Sequence, residues 1–91
     1  MKYIKLYEAF VNESSGFNVL VYTHPSLDTE PINGTEFRET GYADTNLIDG
    51  GEADTAVIIV PKTLAKNQKA AEKLVQKHYA DDFANEWMSL R

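Results

Sequence analysis

Two runs, Phe17-Asn18-Val19-Leu20-Val21-Tyr22-Thr23 and Thr55-Ala56-Val57-Ile58-Ile59-Val60, constrain this chain more than anything else in it. Both are β-branched, bounded by Gly16 and Pro25 or by Pro61, and too short for helices. Both read as strands. Their near-continuous apolar character asks for burial on both faces over part of their length. A chain of 91 residues hides roughly 60–65% of its unfolded surface, enough for one domain with a thin core.

Between the runs lies a stretch rich in turn formers. Asn33-Gly34 is its strongest turn signal, because both residues tolerate positive φ. Thr35 to Thr40 alternates around Phe37 and suggests a strand; Leu47 and Ile48 form a second anchor before Asp49-Gly50-Gly51. A structureless loop of about thirty residues does not suit so small a domain.

After Pro61, the residues Lys62 to Tyr79 have helical period, with Thr63 as the expected cap. Leu64, Ala71, Leu74, Val75 and His78 fall in an arc of about 100°, which makes His78 a half-buried helix residue. Lys62, Lys66, Lys69, Lys73 and Lys77 lie opposite, as the solvated back of an amphipathic helix does. An unbroken helix to Arg91 would put Trp87 among the lysines. A break near Ala80-Asp81-Asp82, with an aspartate capping a new helix, instead gives Phe83, Trp87 and Leu90 a shared face. That face reads as core or as the contact of a homodimer.

At the other end, Tyr3, Ile4, Tyr7, Phe10 and Val11 share an arc of about 120°, so residues 2–12 also read as a helix, stopped by Ser14-Ser15-Gly16. The expected fold is α+β: a small, mostly antiparallel sheet of three to four strands, with an N-terminal helix and two C-terminal helices on one face. Residues 1–91 form one domain, with 17–91 as its core.

Charge narrows the function. The net charge is −5, a poor basis for binding phosphate-rich nucleic acid. Residues 25–55 hold eight acidic residues (Asp28, Glu30, Glu36, Glu39, Asp44, Asp49, Glu52, Asp54) against Arg38 alone. Residues 62–77 carry five lysines against Glu72. The molecule is dipolar along its sequence. Glu36, Glu39, Asp44, Asp49, Glu52 and Asp54 are the candidate partner-binding residues, facing a protein. As a calcium loop from Asp44 the segment fails, since Ile48, Asp49 and Thr55 fall where an oxygen ligand, glycine and glutamate belong. His24 and His78 lack metal-ligand spacing, and His24, Ser26 and Asp28 are too close in sequence to read as a triad. No phosphate loop, dinucleotide fingerprint or nucleophile elbow occurs, so no catalytic residue, cofactor or metal is assigned. There is no cysteine, hence no disulfide or thiolate site. No apolar run reaches the roughly 20 residues that span a bilayer. The leading expectation is a non-enzymatic protein-binding module in the cytoplasm. The alternative is a small enzymatic or ligand-binding domain using residues 28–54 and His24.

The opening Met-Lys-Tyr-Ile-Lys-Leu-Tyr-Glu-Ala-Phe-Val-Asn-Glu resembles the capsid-targeting sequences of head-packaged proteins in T-even-type phages. Met1-Lys2, Tyr7, Glu8, Phe10, Val11 and Glu13 carry the likeness, and Val11-Asn12-Glu13 is similar to the aliphatic-x-Glu site that a prohead protease cuts. The resemblance covers residues 1–13. It implies a phage-encoded protein of the head or of the host cytoplasm, cut after Glu13. Packaged proteins of that group tend to be basic, whereas residues 14–91 here carry −5.

Overall fold

The computed structural model describes residues 16–91. Both apolar runs are strands: β1 is Phe17–Thr23, and the second run is the greater part of a longer strand, Glu52–Val60. That strand is β3, because β2, Glu36–Asp44, precedes it; β4 is Met88–Leu90. All neighbours are antiparallel, in the order β2-β3-β1-β4. Residues paired across strands share a face. Val19 and Val21 therefore stand beside Ile58 and Ala56, while Asn18 and Leu20 stand beside Ile59 and Val57 on the other side.

Helix α1, Gln68–His78, and the five-residue helix α2, Ala80–Ala84, serve the first of these faces. Ala71 and Val75, one turn apart on α1, are buried with Val19, Val21, Ile58, Val60 and Met88 in one cluster. Burying each of the larger side chains contributes about 1.5–3 kcal/mol. Asn67 starts α1: its Oδ1 accepts from the Ala70 N–H at 2.7 Å. Lys77 and His78 in its last turn suit the helix dipole. Gln68 Nε2 donates to the Asn18 carbonyl at 2.7 Å, tying α1 to the outer side of β1. The loop 24–35 is held down by Tyr79, whose hydroxyl donates to the Glu30 carbonyl at 2.6 Å.

The other face is thinner. Leu20 is 44% exposed, and Tyr22, Val57 and Ile59 are half-buried. The Arg91 guanidinium sits 5.6 Å from the Tyr22 ring centre. Gly16 enters β1 at φ +78°, and a Cβ there would run into the Val60 carbonyl. Only glycine fits so close a left-handed approach.

The expected α+β arrangement is corrected. The described residues form a four-stranded antiparallel sheet with two short C-terminal helices; the second of these is only Ala80–Ala84, and the chain returns to the sheet as β4 where that helix was expected to continue to Leu90. The expected N-terminal helix, residues 2–12, lies outside the described residues. The helix expected from Lys62 begins at Gln68, because the Pro61 carbonyl accepts from both the Leu64 and Ala65 N–H groups and closes a separate turn. The cap is consequently Asn67, not Thr63. Helix α2 stops at Ala84, where Glu86 takes φ +60° and the Trp87 N–H turns back to the Asp82 carbonyl at 2.8 Å. Its N-cap is Tyr79, with Asp81 and Asp82 in the first turn. His78 is exposed, lying edge-on to the Tyr79 ring.

Candidate functional site

Strand β2 pairs with β3 from Glu36 opposite Ile59 to Asp44 opposite Glu52, with a register shift between Glu39 and Gly41. The shift is a bulge that leaves Thr40 as the extra residue. It is pinned from behind, since the Thr40 and Thr55 hydroxyls meet at 3.0 Å. The register decides which carboxylates gather. Glu39, Tyr42 and Asp44 of β2 share a face with Asp54 and Glu52 of β3. Asp54 is half-buried; the other four are exposed.

Tyr42 sits at the middle of this surface, 61% exposed. Its hydroxyl donates to Asp44 Oδ1 at 3.0 Å and approaches Glu52 Oε1 at 3.3 Å. The Asp44 hydrogen bond, followed by the charges of Asp44 and Glu52, raises its pKa above the ordinary 10.0. The phenol is thereby held as a donor among acceptors, with an open aromatic face.

Four of the six predicted carboxylates, Glu39, Asp44, Glu52 and Asp54, are thus brought together. Glu36 is not: it falls on the opposite face, where the Arg38 guanidinium pairs with it, Nε standing 2.9 Å from Oε2. That ion pair is exposed and contributes little stability. It does remove the one cation of this segment from the acidic side. Asp49 lies in the loop after β2, whose Thr45 and Gly51 close on each other through a backbone bond of 3.0 Å.

Asp49, Gly50 and Glu52 also line a shallow groove of about 300 Å³ with His24, Pro25 and Ser26. The His24 ring stacks on Trp87, with centroids 4.6 Å apart and planes 21° apart. Its backbone N–H donates to the Trp87 carbonyl at 2.8 Å, and its Nδ1 accepts from the Ser26 N–H at 3.0 Å. The proton of the neutral ring is therefore on Nε2. A Cβ added at Gly50 would stand 4.0 Å from Nε2, and no carboxylate of the described residues is hydrogen-bonded to that nitrogen. Among the described residues, no group of three His, Asp or Glu side chains converges closely enough to hold a metal ion.

Phe83, Trp87 and Leu90 do not share a helical face. Phe83 on α2 and Leu90 on β4 are half-buried against the core, and Trp87 lies between them under His24. Lys66, Lys69, Lys73 and Lys77 are exposed on and just before α1, opposite its buried Ala71 and Val75. Among the described residues no helix is long and apolar enough to cross a membrane. Glu13, the expected cleavage position, lies outside the described residues.

Tyr42 is the site residue that charge counting missed. Its signal was present: it is the one aromatic residue in the acidic stretch that the strand alternation does not need for packing. Comparison of the chain with protein-family models, with curated proteins and with solved structures finds no match.

Proposed function

We propose that the chain is a non-enzymatic protein-binding module that presents the β2–β3 ribbon to a basic protein surface. One observation carries the reading: Glu39, Asp44, Glu52 and Asp54 surround an exposed Tyr42 on a strand that has no buried residue. By register these five share a side of the sheet with Ala56 and Ile58, yet all but the half-buried Asp54 are exposed. An exposed aromatic residue among like charges suits an interface anchor. Charge of one sign speeds encounter with a partner of the other.

The test compares the chain with its Glu39→Gln/Asp44→Asn/Glu52→Gln/Asp54→Asn variant as bait, with cross-links mapped by mass spectrometry. The parent should retain basic partners that the variant loses and that raised salt releases. The cross-links should map to residues 39–54. Equal retention by the two baits, or cross-links gathered on Lys66–Lys77, would count against the reading.

The groove beside His24 supports a second reading as a small-ligand site. It is favoured by the Nε2–H of His24 lying in a groove that Asp49 and Glu52 also line. It requires His24→Ala, and not neutralisation of the ribbon, to abolish binding. The phage reading rests on the resemblance of residues 1–13 alone. Under it the segment is an address that a prohead protease removes, and co-expression with that protease should yield a chain beginning at Ser14 by mass spectrometry. An intact chain would contradict it.

A further inference from the structure

The hydrogen-bond direction of each strand residue follows from one bond. The Leu20 carbonyl accepts from the Arg91 N–H at 3.0 Å, on the β4 side of β1. In an antiparallel ladder these directions alternate along the strand. Val21 therefore turns its N–H and C=O toward β3, and so does its partner Ala56 toward β1. Ala53 and Thr55 then turn toward β2, where they meet Ala43 and Gly41. Tyr42 and Asp44 are left with N–H and C=O groups pointing away from the sheet. No described strand lies on that side.

Three features bound what can occupy this edge. The bulge at Glu39/Gly41 breaks the ladder at one end, and the turn after Asp44 ends it at the other, so pairing is confined to Gly41–Asp44. Next, the side chains beside those free groups are Tyr42 and Asp44, with Glu52 and Asp54 behind them. A second copy of β2 would bring carboxylate against carboxylate. The charge that protects this edge from its own kind, as edge strands require, selects an oppositely charged strand instead. Finally, a cation one rung away from Tyr42 lies within reach of an aromatic face that is already exposed.

We infer that the outer edge of β2 at Tyr42 and Asp44 takes an extended segment of a partner protein, with lysine or arginine at alternate positions, as an added strand. The inference rests on the protein-binding reading of the ribbon and names its partner class. Backbone bonds to Tyr42 and Asp44 set the register of such a segment. Alternate cations then fall on the Tyr42 face, about 5 Å from the side chains they meet. With four residues of pairing, charge supplies much of the affinity, and binding falls as salt rises.

The test titrates a short peptide alternating lysine and valine into the full chain, following backbone amide exchange and peptide anisotropy. The amides of Tyr42 and Asp44 should slow about tenfold on binding. Those of Gly41 and Ala43, already bonded to β3, should not change. The Asp44→Asn/Glu52→Gln variant, altered only at exposed side chains, should bind several-fold more weakly. A peptide of the same sequence N-methylated at alternate residues should lose the protection. Binding without protection of Tyr42 and Asp44, or full affinity in the N-methylated peptide, overturns strand addition and leaves the acidic surface standing. No binding at low salt, or equal binding of a glutamate–valine peptide, overturns both.

Discussion

Strands β2 and β3 are hydrogen-bonded neighbours along nearly their whole length, yet they live in different solvents. In β3, Ala53, Thr55, Ala56, Ile58 and Val60 are buried; in β2, seven of nine residues are exposed and none is buried. β3 is paired on both sides and β2 on one, but backbone pairing does not decide what covers the side chains. For Ala56, Ile58 and Val60, the helices do. An eleven-residue helix is about 16 Å long and 10 Å across, enough for two or three strands at 4.8 Å spacing and not for four. Helix α1 packs on β1 and is tied to it through Gln68 and Asn18, which leaves β2 outside the covered area. Phe37, opposite Ile58, is the one large apolar side chain of β2 that reaches the core, and it does so half-buried. A strand beyond the cover is free to carry charge, and this one does.

The widest separation between the two strands is expected in truncation. Ile58→Ala removes a fully buried side chain from the centre of the cluster and should cost about 3–4 kcal/mol. Tyr42→Ala, on the neighbouring strand, should leave the urea midpoint where it was. In a domain of this size, with total stability of about 5–10 kcal/mol, the first change shifts the transition plainly. If Tyr42→Ala destabilised comparably, the ribbon would be a packing element and not a presented surface.

That division was half visible in the amino acids. Phe17–Thr23 is a strand in sequence and structure alike, and Thr55–Val60 is too, because β-branched runs between Gly16, Pro25 and Pro61 admit little else. β3 starts earlier than its apolar run because Ala53 bonds to Ala43, and Gly51 to Thr45, through backbone that any residue supplies, which carries Glu52 and Asp54 into the strand beside Asp44 and Tyr42. Side-chain pattern cannot report such pairs. β4 was unreadable for a related reason: Met88-Ser89-Leu90 is three residues that gain strand character only from Val21–Thr23 beside them. The spacing of Phe83, Trp87 and Leu90 fitted a helix, but the left-handed Glu86 and the His24–Trp87 stack end it. At the site, the acidic excess was legible as a count. Its sorting was not: the Glu39/Gly41 bulge keeps Glu39 with Tyr42 and Asp44 on one face, and strict alternation would have split them. The gathering of His24 with Asp49 and Glu52 depends on a loop fold that local sequence does not specify.

The finest comparison is between two tyrosines whose pKa values are both raised, for opposite reasons. Tyr42 is raised by its Asp44 hydrogen bond and by the charges of Asp44 and Glu52 in open water; Tyr79 is raised first by burial, then by the charges of Asp82 and Glu30. For Tyr79, the folded state holds the proton more tightly than the unfolded chain, whose phenol titrates near 10.0. Its contribution to stability is therefore complete below about pH 10 and is lost as pH rises through the folded value. Tyr79→Phe also removes the hydroxyl's bond to the Glu30 carbonyl, which should cost about 1 kcal/mol at neutral pH. Above pH 10 the variant should lose stability less steeply than the parent, narrowing the gap between their urea midpoints. Salt then separates the two sites. Difference titrations of phenolate absorbance, parent minus Tyr42→Phe and parent minus Tyr79→Phe, isolate each ring. Added salt should lower the Tyr42 transition, because an exposed charge interaction is screened, and should leave the Tyr79 transition in place, because desolvation is not. A salt-sensitive Tyr79 would mean that Asp82 and Glu30, and not the core, hold its proton, and that the covered half of the molecule is wetter than its packing implies.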